Sequence, residues 1–312
     1  MVLSEEQSTG RLQSVPVQIS DLRRCDLPKF FELVRLGFER ELSQRGTDFQ
    51  GLERLLRVLL LAGGIPLRLL TRLTRSEAIV LTAKSDGQVV GCLAVLGHGE
   101  PFVIGASVLP AFRDQGIGLA LIEEAVRHLR SRGHHRVRGA AISEGGQRIA
   151  ERAGFVVCGE RILYVLTLPR EVPLPAGVTV RRARWRDRSI GNATDCRFEW
   201  DDPRRPYEAP VVRRLLGAHL RSITVLDSQG PALRCTLSTL KAQTIGEIRP
   251  QLAPESGRAF LGCLSEGSRW LSRLAKREAY LYLPPTETRL AGVALQAGFQ
   301  RRHSWVQLAM DL

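Results

Sequence analysis

Lysine is almost missing from this chain: four of its 45 basic side chains are Lys (Lys29, Lys84, Lys241, Lys276) and the rest are Arg. The arginines are scattered and form no stripe. The net charge of +13 therefore reads as compositional bias that adds a positive potential attractive to anions, and no nucleic-acid partner is expected. Cys-x-x-Cys is absent as well. The six cysteines (Cys25, Cys92, Cys158, Cys196, Cys235, Cys263) lie far apart with no His pair nearby. That argues against zinc and against a disulfide framework, and it suits a reducing, cytoplasmic setting. His134-His135 follows Gly133 in a helix-to-strand turn with no thiol or carboxylate close in sequence, so the pair reads as solvated and no metal is expected. No apolar run is long enough to span a bilayer. Leu55 to Leu70 is broken by Arg57, Pro66 and Arg68, well short of the ~20 residues a spanning helix needs. Leu52, Leu55, Leu56, Leu59 and Leu60 share one helical face, the pattern of a core-facing amphipathic helix. The first fourteen residues are polar, so no secretory signal is expected and no membrane contact.

Two phosphate-binding patterns are also missing: Gly-x-Gly-x-x-Gly and Gly-x-x-x-x-Gly-Lys-Ser/Thr. What stands instead runs from Val103 to Ala120. An apolar strand ends at Pro110, a short loop presents Arg113, Gly116 and Gly118, and an amphipathic helix begins at once. A helix opening leaves backbone N–H groups without partners, and its dipole favours negative charge there. Glycines let phosphates approach those groups, and Arg113 adds a planar donor fork. The loop reads as a pyrophosphate binder.

The spacing narrows that reading. Arg113-x-x-Gly116-x-Gly118 after a strand ending in Val108-x-Pro110 closely resembles the acyl-CoA loop of the GNAT superfamily of N-acyltransferases. Downstream, Ala150-Glu-Arg-Ala-Gly154-Phe155 followed by a strand from Val156 to Leu168 resembles the close of a GNAT domain. The resemblance covers roughly residues 17 to 168.

An internal repeat extends the picture. Ala150 to Phe155 recurs as Ala294 to Phe299, 144 positions on, and at that offset Pro110 falls on Pro254 and Gly118 on Gly262. Cys92 and Cys235 are related by 143 positions. The expected organisation is a loose tail (1–14), a GNAT-like domain (15–168), a linker of three prolines (169–177) and a degenerate GNAT-like domain (178–312). The fold class is α/β, two tandem GNAT-like domains, each a mixed, mostly antiparallel sheet flanked by helices. In the first unit a helix is expected from Leu27 to about Ser43, a hairpin around Ser85-Asp86-Gly87, a strand over Phe102–Leu109 and a helix over Ile117–Arg132. The second unit should have a helix over Cys263–Arg277 and a last strand over Val306–Leu312.

The resemblance implies acetyl-CoA as cosubstrate. Its pyrophosphate would rest on the N–H groups of Arg113, Asp114, Gln115, Gly116, Ile117 and Gly118. Backbone groups around Val108 and Leu109 would bond the pantetheine and the thioester oxygen, stabilising the charge that develops there. A primary amine of a small molecule or peptide would attack directly, so no nucleophilic Ser or Cys is needed, and Cys92 reads as a small buried hydrophobe. Ser143 stands where the family often carries a pantetheine-binding Asn. Ala150, and Ala294 in the repeat, stand where many members have the Tyr that protonates the thiolate, so the general acid is unassigned. Glu100, with His98 behind it, is the candidate general base; both also read as solvated turn residues. Glu123 and Glu124 read as surface support for Arg127. In the second unit Gly257 and Phe260 replace Arg113 and Gly116, Glu255 would repel a diphosphate, and no CoA is expected there. Trp200, Asp201, Asp202 and Tyr207 are either an ordinary acidic loop or contacts for an amine. The alternative to an enzyme is a non-catalytic acyl-CoA sensor, kept open by the missing Tyr.

Overall fold

The structure, a computed structural model, describes residues 17–44, 76–98, 100–141, 143–183, 217–228, 230–241, 243–251 and 257–312. The expected leucine helix and the Trp200–Tyr207 segment lie outside them. In chain order the first unit comprises β1 (Gln18–Asp21), α1 (Leu27–Gln44), β2 (Ser76–Ser85), β3 (Gln88–His98), β4 (Phe102–Val108), α2 (Ile117–Ser131), β5 (Arg136–Ala141), α3 (Glu144–Arg152) and β6 (Val156–Thr167). The second comprises β7 (Thr179–Arg182), β8 (Ala218–Asp227), β9 (Gly230–Leu240), β10 (Ile245–Gln251), α4 (Gly257–Arg273), β11 (Glu278–Leu283), α5 (Thr288–Gln296) and β12 (Gln300–Asp311).

Local sequence explains most of these boundaries. Asp86 and Gly87, both at positive φ (49° and 77°), close the β2–β3 hairpin between the paired residues Ser85 and Gln88. Two consecutive left-handed residues give the turn whose twist matches that of the strands. In α1, Leu27, Phe30, Phe31 and Leu33 are buried against Val89 and Cys92, while α2 buries Ile117, Leu121, Ala125 and Leu129 on the opposite face of the sheet, against Ile79, Leu81, Leu93 and Val95. One expected element is displaced. The helix placed at Cys263–Arg277 runs from Gly257 to Arg273, because five residues join β10 to α4 where eight join β4 to α2. The last strand also begins earlier than Val306, at Gln300.

All twelve strands form one sheet in the order β1-β2-β3-β4-β5-β12-β6-β11-β10-β9-β8-β7. Most pairs are antiparallel; β4–β5 and β10–β11 are parallel. The order shows an exchange. β12, the last strand of the second unit, lies beside β5 of the first, and β6, the last strand of the first unit, lies beside β11 of the second. The exchanged strands pair with each other, with Arg161 opposite Trp305. Those two residues are also 144 positions apart, so the pseudo-twofold axis of the duplication passes between them.

The cores follow the exchange. Leu308 and Met310 of β12 are buried with α2 and β5, whereas Ile162, Tyr164 and Leu166 of β6 are buried with α4 and β11. The linker is strapped over α4: Ser265 donates to the Val172 carbonyl at 2.7 Å, and a Cβ at Gly262 would stand 2.7 Å from Val178. Neither half can close its core alone. Leu308→Ala should therefore cost about 2–5 kcal/mol, the usual range for a buried Leu truncation, and calorimetry should show one transition for both units, shifted as a whole, instead of a split into two.

Candidate active site

The loop between β4 and α2 is built around Gly116. This residue caps α2 in the left-handed conformation (φ 79°, ψ −2°) with no side-chain cap, and an added Cβ would meet nothing within 4 Å. Asp114 is also left-handed (φ 60°) and exposed. The helix's first hydrogen bond runs from the Ala120 N–H to the Gly116 carbonyl at 3.0 Å. The amides of Ile117, Gly118 and Leu119 precede that bond, so the helix itself supplies them no carbonyl. Gly118 has a different use from Gly116. Its Cβ position lies 3.7 Å from Ile149 and 4.0 Å from Val108, so it sets how α2 meets α3 and β4. Gln115 donates to the Ala111 carbonyl, and Arg113 Nε donates to the Val108 carbonyl, both at 3.2 Å. That leaves the outer nitrogens of the Arg113 guanidinium on the exposed side of the loop.

A wedge opens beside this loop. β4 and β5 pair through Phe102–Arg138 and Val103–Gly139 and then part. Ile104 is the extra residue of a bulge, since Val103 faces Val95 while Gly105 faces Ala94. A bulge bends its strand and adds twist, which turns the rest of β4 away from β5. Beyond it, the Leu109 N–H donates to Val90 of β3 at 2.9 Å. Backbone groups alternate sides along a strand, so those of Ala106 and Val108 face the opened side. Leu109, expected among the cofactor contacts, has both backbone groups engaged: its carbonyl accepts from Phe112 at 2.9 Å. Ser143 caps α3, accepting from the Gly146 N–H at 3.1 Å, which leaves its hydroxyl proton to donate.

The remaining candidates are placed as follows. Glu100 is half-exposed just ahead of β4 and forms an ion pair with Arg138 of β5. Sequence reasoning missed Arg138, because nothing in a linear pattern says which strand will stand beside the β3–β4 turn. Only the backbone of His98, closing β3, is described. Glu124 binds Arg127 and also His128 at 3.0 Å on the surface of α2, the supporting role expected of it. Hydrogen bonds from Arg127 hold the Glu124 carboxyl below its usual range. Ala150 lies on the buried side of α3.

Cys92 is buried beneath α1, and desolvation pushes its thiol up to about 12. At neutral pH it is a thiol and not a nucleophile. Alkylation at pH 8 should accordingly label the exposed Cys25 and Cys158 and leave Cys92 unmodified until the protein unfolds, as peptide mapping would show.

The second unit differs in its described residues. α4 starts sooner after β10, its Phe260 is 1 % exposed within the core, and Arg258 is spent on the Ala176 carbonyl of the linker. β10 and β11 stay paired over four residues, Ile245–Ile248, against two in the first unit. Among the described residues no cluster could hold a metal ion, and no helix is long and apolar enough to cross a membrane.

Comparison with known proteins bears on the fold. Residues 55–155 match the model of the Acetyltransferase (GNAT) family. A tandem GNAT protein from the clavulanic acid biosynthesis pathway superposes with a TM-score of 0.59 at 15 % identity, covering 95 % of this chain and 98 % of that one. A GCN5-related N-acetyltransferase from Sphaerobacter thermophilus gives 0.63 at 17 % identity over 95 % of each chain. A GCN5-related glucosamine N-acetyltransferase region of a fungal multi-domain GH3 β-N-acetylglucosaminidase gives 0.62 at 12 % identity, over 96 % of this chain and 38 % of that one. No curated protein matches by sequence. The first unit thus carries the GNAT family's sequence pattern, and the chain as a whole has the tandem GNAT fold.

Proposed function

We propose that this chain is an N-acyltransferase that moves an acetyl group from acetyl-CoA to a primary amine of a small molecule or peptide, within a ternary complex. The observation that carries this reading is the pairing of the amides at the opening of α2 with the wedge that starts one strand-length away. Gly116, with open space where a Cβ would stand, fits a diphosphate seated on those amides, and the Arg113 fork adds a charge-assisted contact. The thioester supplies the activated acyl group. The backbone groups of Ala106 and Val108 line its path, and an N–H there stabilises the oxygen as negative charge gathers on it. Ser143 supports the pantetheine from the α3 side.

Proton transfer falls to Glu100 and water. The exposed Glu100 carboxylate attracts the ammonium and takes its proton through solvent, while the departing thiolate needs little help, since a thiol pKa near 8.5 makes it a tolerable leaving group. The first unit (15–168) binds the cosubstrate, and the second (178–312) supports it.

The sensor reading has one observation in its favour: Ala150 is buried where a Tyr acid is common in the resembling family. Two measurements separate the readings. Saturating acetyl-CoA should raise the melting temperature by about 5 °C, and Gly116→Val, which fills the cradle and strains the left-handed backbone, should abolish the shift. Thiol release with a panel of primary amines should then depend on the amine. Binding without any amine-dependent release would establish the sensor. Glu100→Gln should lower kcat about 10²-fold, leaving acetyl-CoA affinity unchanged.

A further inference from the structure

Beyond Val103, β4 keeps only β3 as a paired neighbour among the described strands, because β5 has parted from it. With half of its lateral hydrogen bonds gone, its rotation about its own axis needs a second fixed point. The peptide between Ser107 and Val108 is where that rotation matters. Ser107 pairs with Cys92 across the β3–β4 ladder, and in a trans peptide the N–H points opposite to the carbonyl before it. The Val108 N–H therefore faces the wedge. The Val108 carbonyl, on the same side, accepts from Arg113 at 3.2 Å, which leaves the N–H as the group this residue offers.

The second fixed point comes from α1. The Ser107 hydroxyl donates to the Leu33 carbonyl at 2.9 Å, and both residues are buried. Within the helix the same carbonyl receives the Gly37 N–H, so it carries a donor on each of its lone pairs. Gly37 stands one turn on from Leu33. A Cβ built there would lie 2.1 Å from Ser107 Oγ and 2.6 Å from Ser107 Cβ, distances at which one partner has to move. Glycine is a poor residue for a helix interior, and here it admits the serine side chain against the helix backbone. Two alanines would pack a helix on a strand at slightly wider spacing, with no buried hydroxyl and no helical glycine. What they would not give is a directed bond.

We propose that Ser107 is a positioning residue: its bond to Leu33, admitted by Gly37, fixes the rotation of β4 and so aims the Val108 N–H at the thioester oxygen. The inference rests on the acyl-transfer reading and deepens it. Ser107 does not touch the reacting atoms; its effect passes through the one peptide plane it shares with Val108. Three restraints then hold this short stretch from three directions. The Leu109 N–H is fixed on Val90 of β3 at 2.9 Å, the Val108 carbonyl on Arg113 of the loop, and the Ser107 hydroxyl on α1. In consequence α1 belongs to the frame of the reaction centre, and a shift of this helix on the sheet is felt at the thioester.

The test uses the full chain saturated with acetyl-CoA that carries a heavy isotope at its carbonyl carbon, read by infrared difference spectroscopy. A hydrogen bond to the thioester oxygen weakens the C=O bond, so the wild-type band should lie below its position in solution. Ser107→Ala keeps the Cβ and loses the bond to Leu33. Its band should return toward the solution position, with CoA affinity by calorimetry unchanged. Gly37→Ala combined with Ser107→Gly moves a methyl group from strand to helix, which refills the contact without the bond, and it should show the same return. Phe30→Leu loosens α1 against Val89 and Cys92 but leaves the bond in place. It should lower the melting temperature and leave the band where it is in wild type. A shifted wild-type band that Ser107→Ala leaves unmoved, or that Phe30→Leu moves as far, overturns the role of Ser107 while the acyl-transfer reading stands. Failure of wild type to bind acetyl-CoA, or a bound band at the solution position, overturns both.

Discussion

The antiparallel ladder between β6 and β12 is the constraint from which the rest of the molecule follows. By pairing with each other across the pseudo-twofold axis at Arg161 and Trp305, the two last strands reach past their own units and complete the neighbour's sheet. Each then presents one face to a core that is not its own: Leu308 and Met310 under α2, Ile162 and Leu166 under α4. A tandem of two independent domains would leave a sheet edge at each end of the junction. Among the described residues the exchange leaves only β1 and β7 as edge strands, both four residues long, the short kind that resists pairing with foreign chains.

This arrangement also explains why one wedge is open and the other nearly closed. Parallel strands beside each other need some cause to part. In the first unit that cause is the bulge at Ile104, which turns β4 before it can pair with β5 beyond Val103. In the second, the β9–β10 register runs without a shift, and the β10–β11 ladder extends to Ile248–Leu281. The β4–α2 loop follows the same divergence. Eight residues separate β4 from α2 and hold two left-handed positions, Asp114 and Gly116; five separate β10 from α4.

Much of this was legible in the sequence, where local chemistry decides the structure. The Asp86-Gly87 turn, the start of α2 just after Gly116 and the closing Gly154-Phe155 are short-range features whose residue types have few other uses. The repeat was legible too, since the Gly-Phe pairs return at a fixed offset. What alignment by offset could not give was the start of α4, because a three-residue difference in loop length shifts the helix without disturbing the Gly-Phe register downstream. Strand neighbours were hidden more deeply. The alternation in β12 tells that Trp305, Gln307 and Ala309 share a face, but no feature of the segment says whether β5 or β11 lies beside it. For the same reason Arg138 was overlooked and Leu109 was counted among free backbone groups: both depend on a partner remote in sequence, Glu100 across a turn and Val90 across a ladder.

Duplication gives a physical account of how a sparse site can be kept in a stable protein. Alanines at 140 and 309 bury far less apolar surface than their equivalents in the other copy, Tyr282 and Val165. At about 25 cal/mol per Å² of buried apolar area, each such replacement forgoes of order 1–3 kcal/mol. A single domain would bear that loss within one core. In this chain the second unit fills its equivalent face with Tyr280, Tyr282, Leu163 and Val165, and the shared β6–β12 ladder couples that packing to the first unit. The second unit thereby stabilises the first through the ladder that the two share.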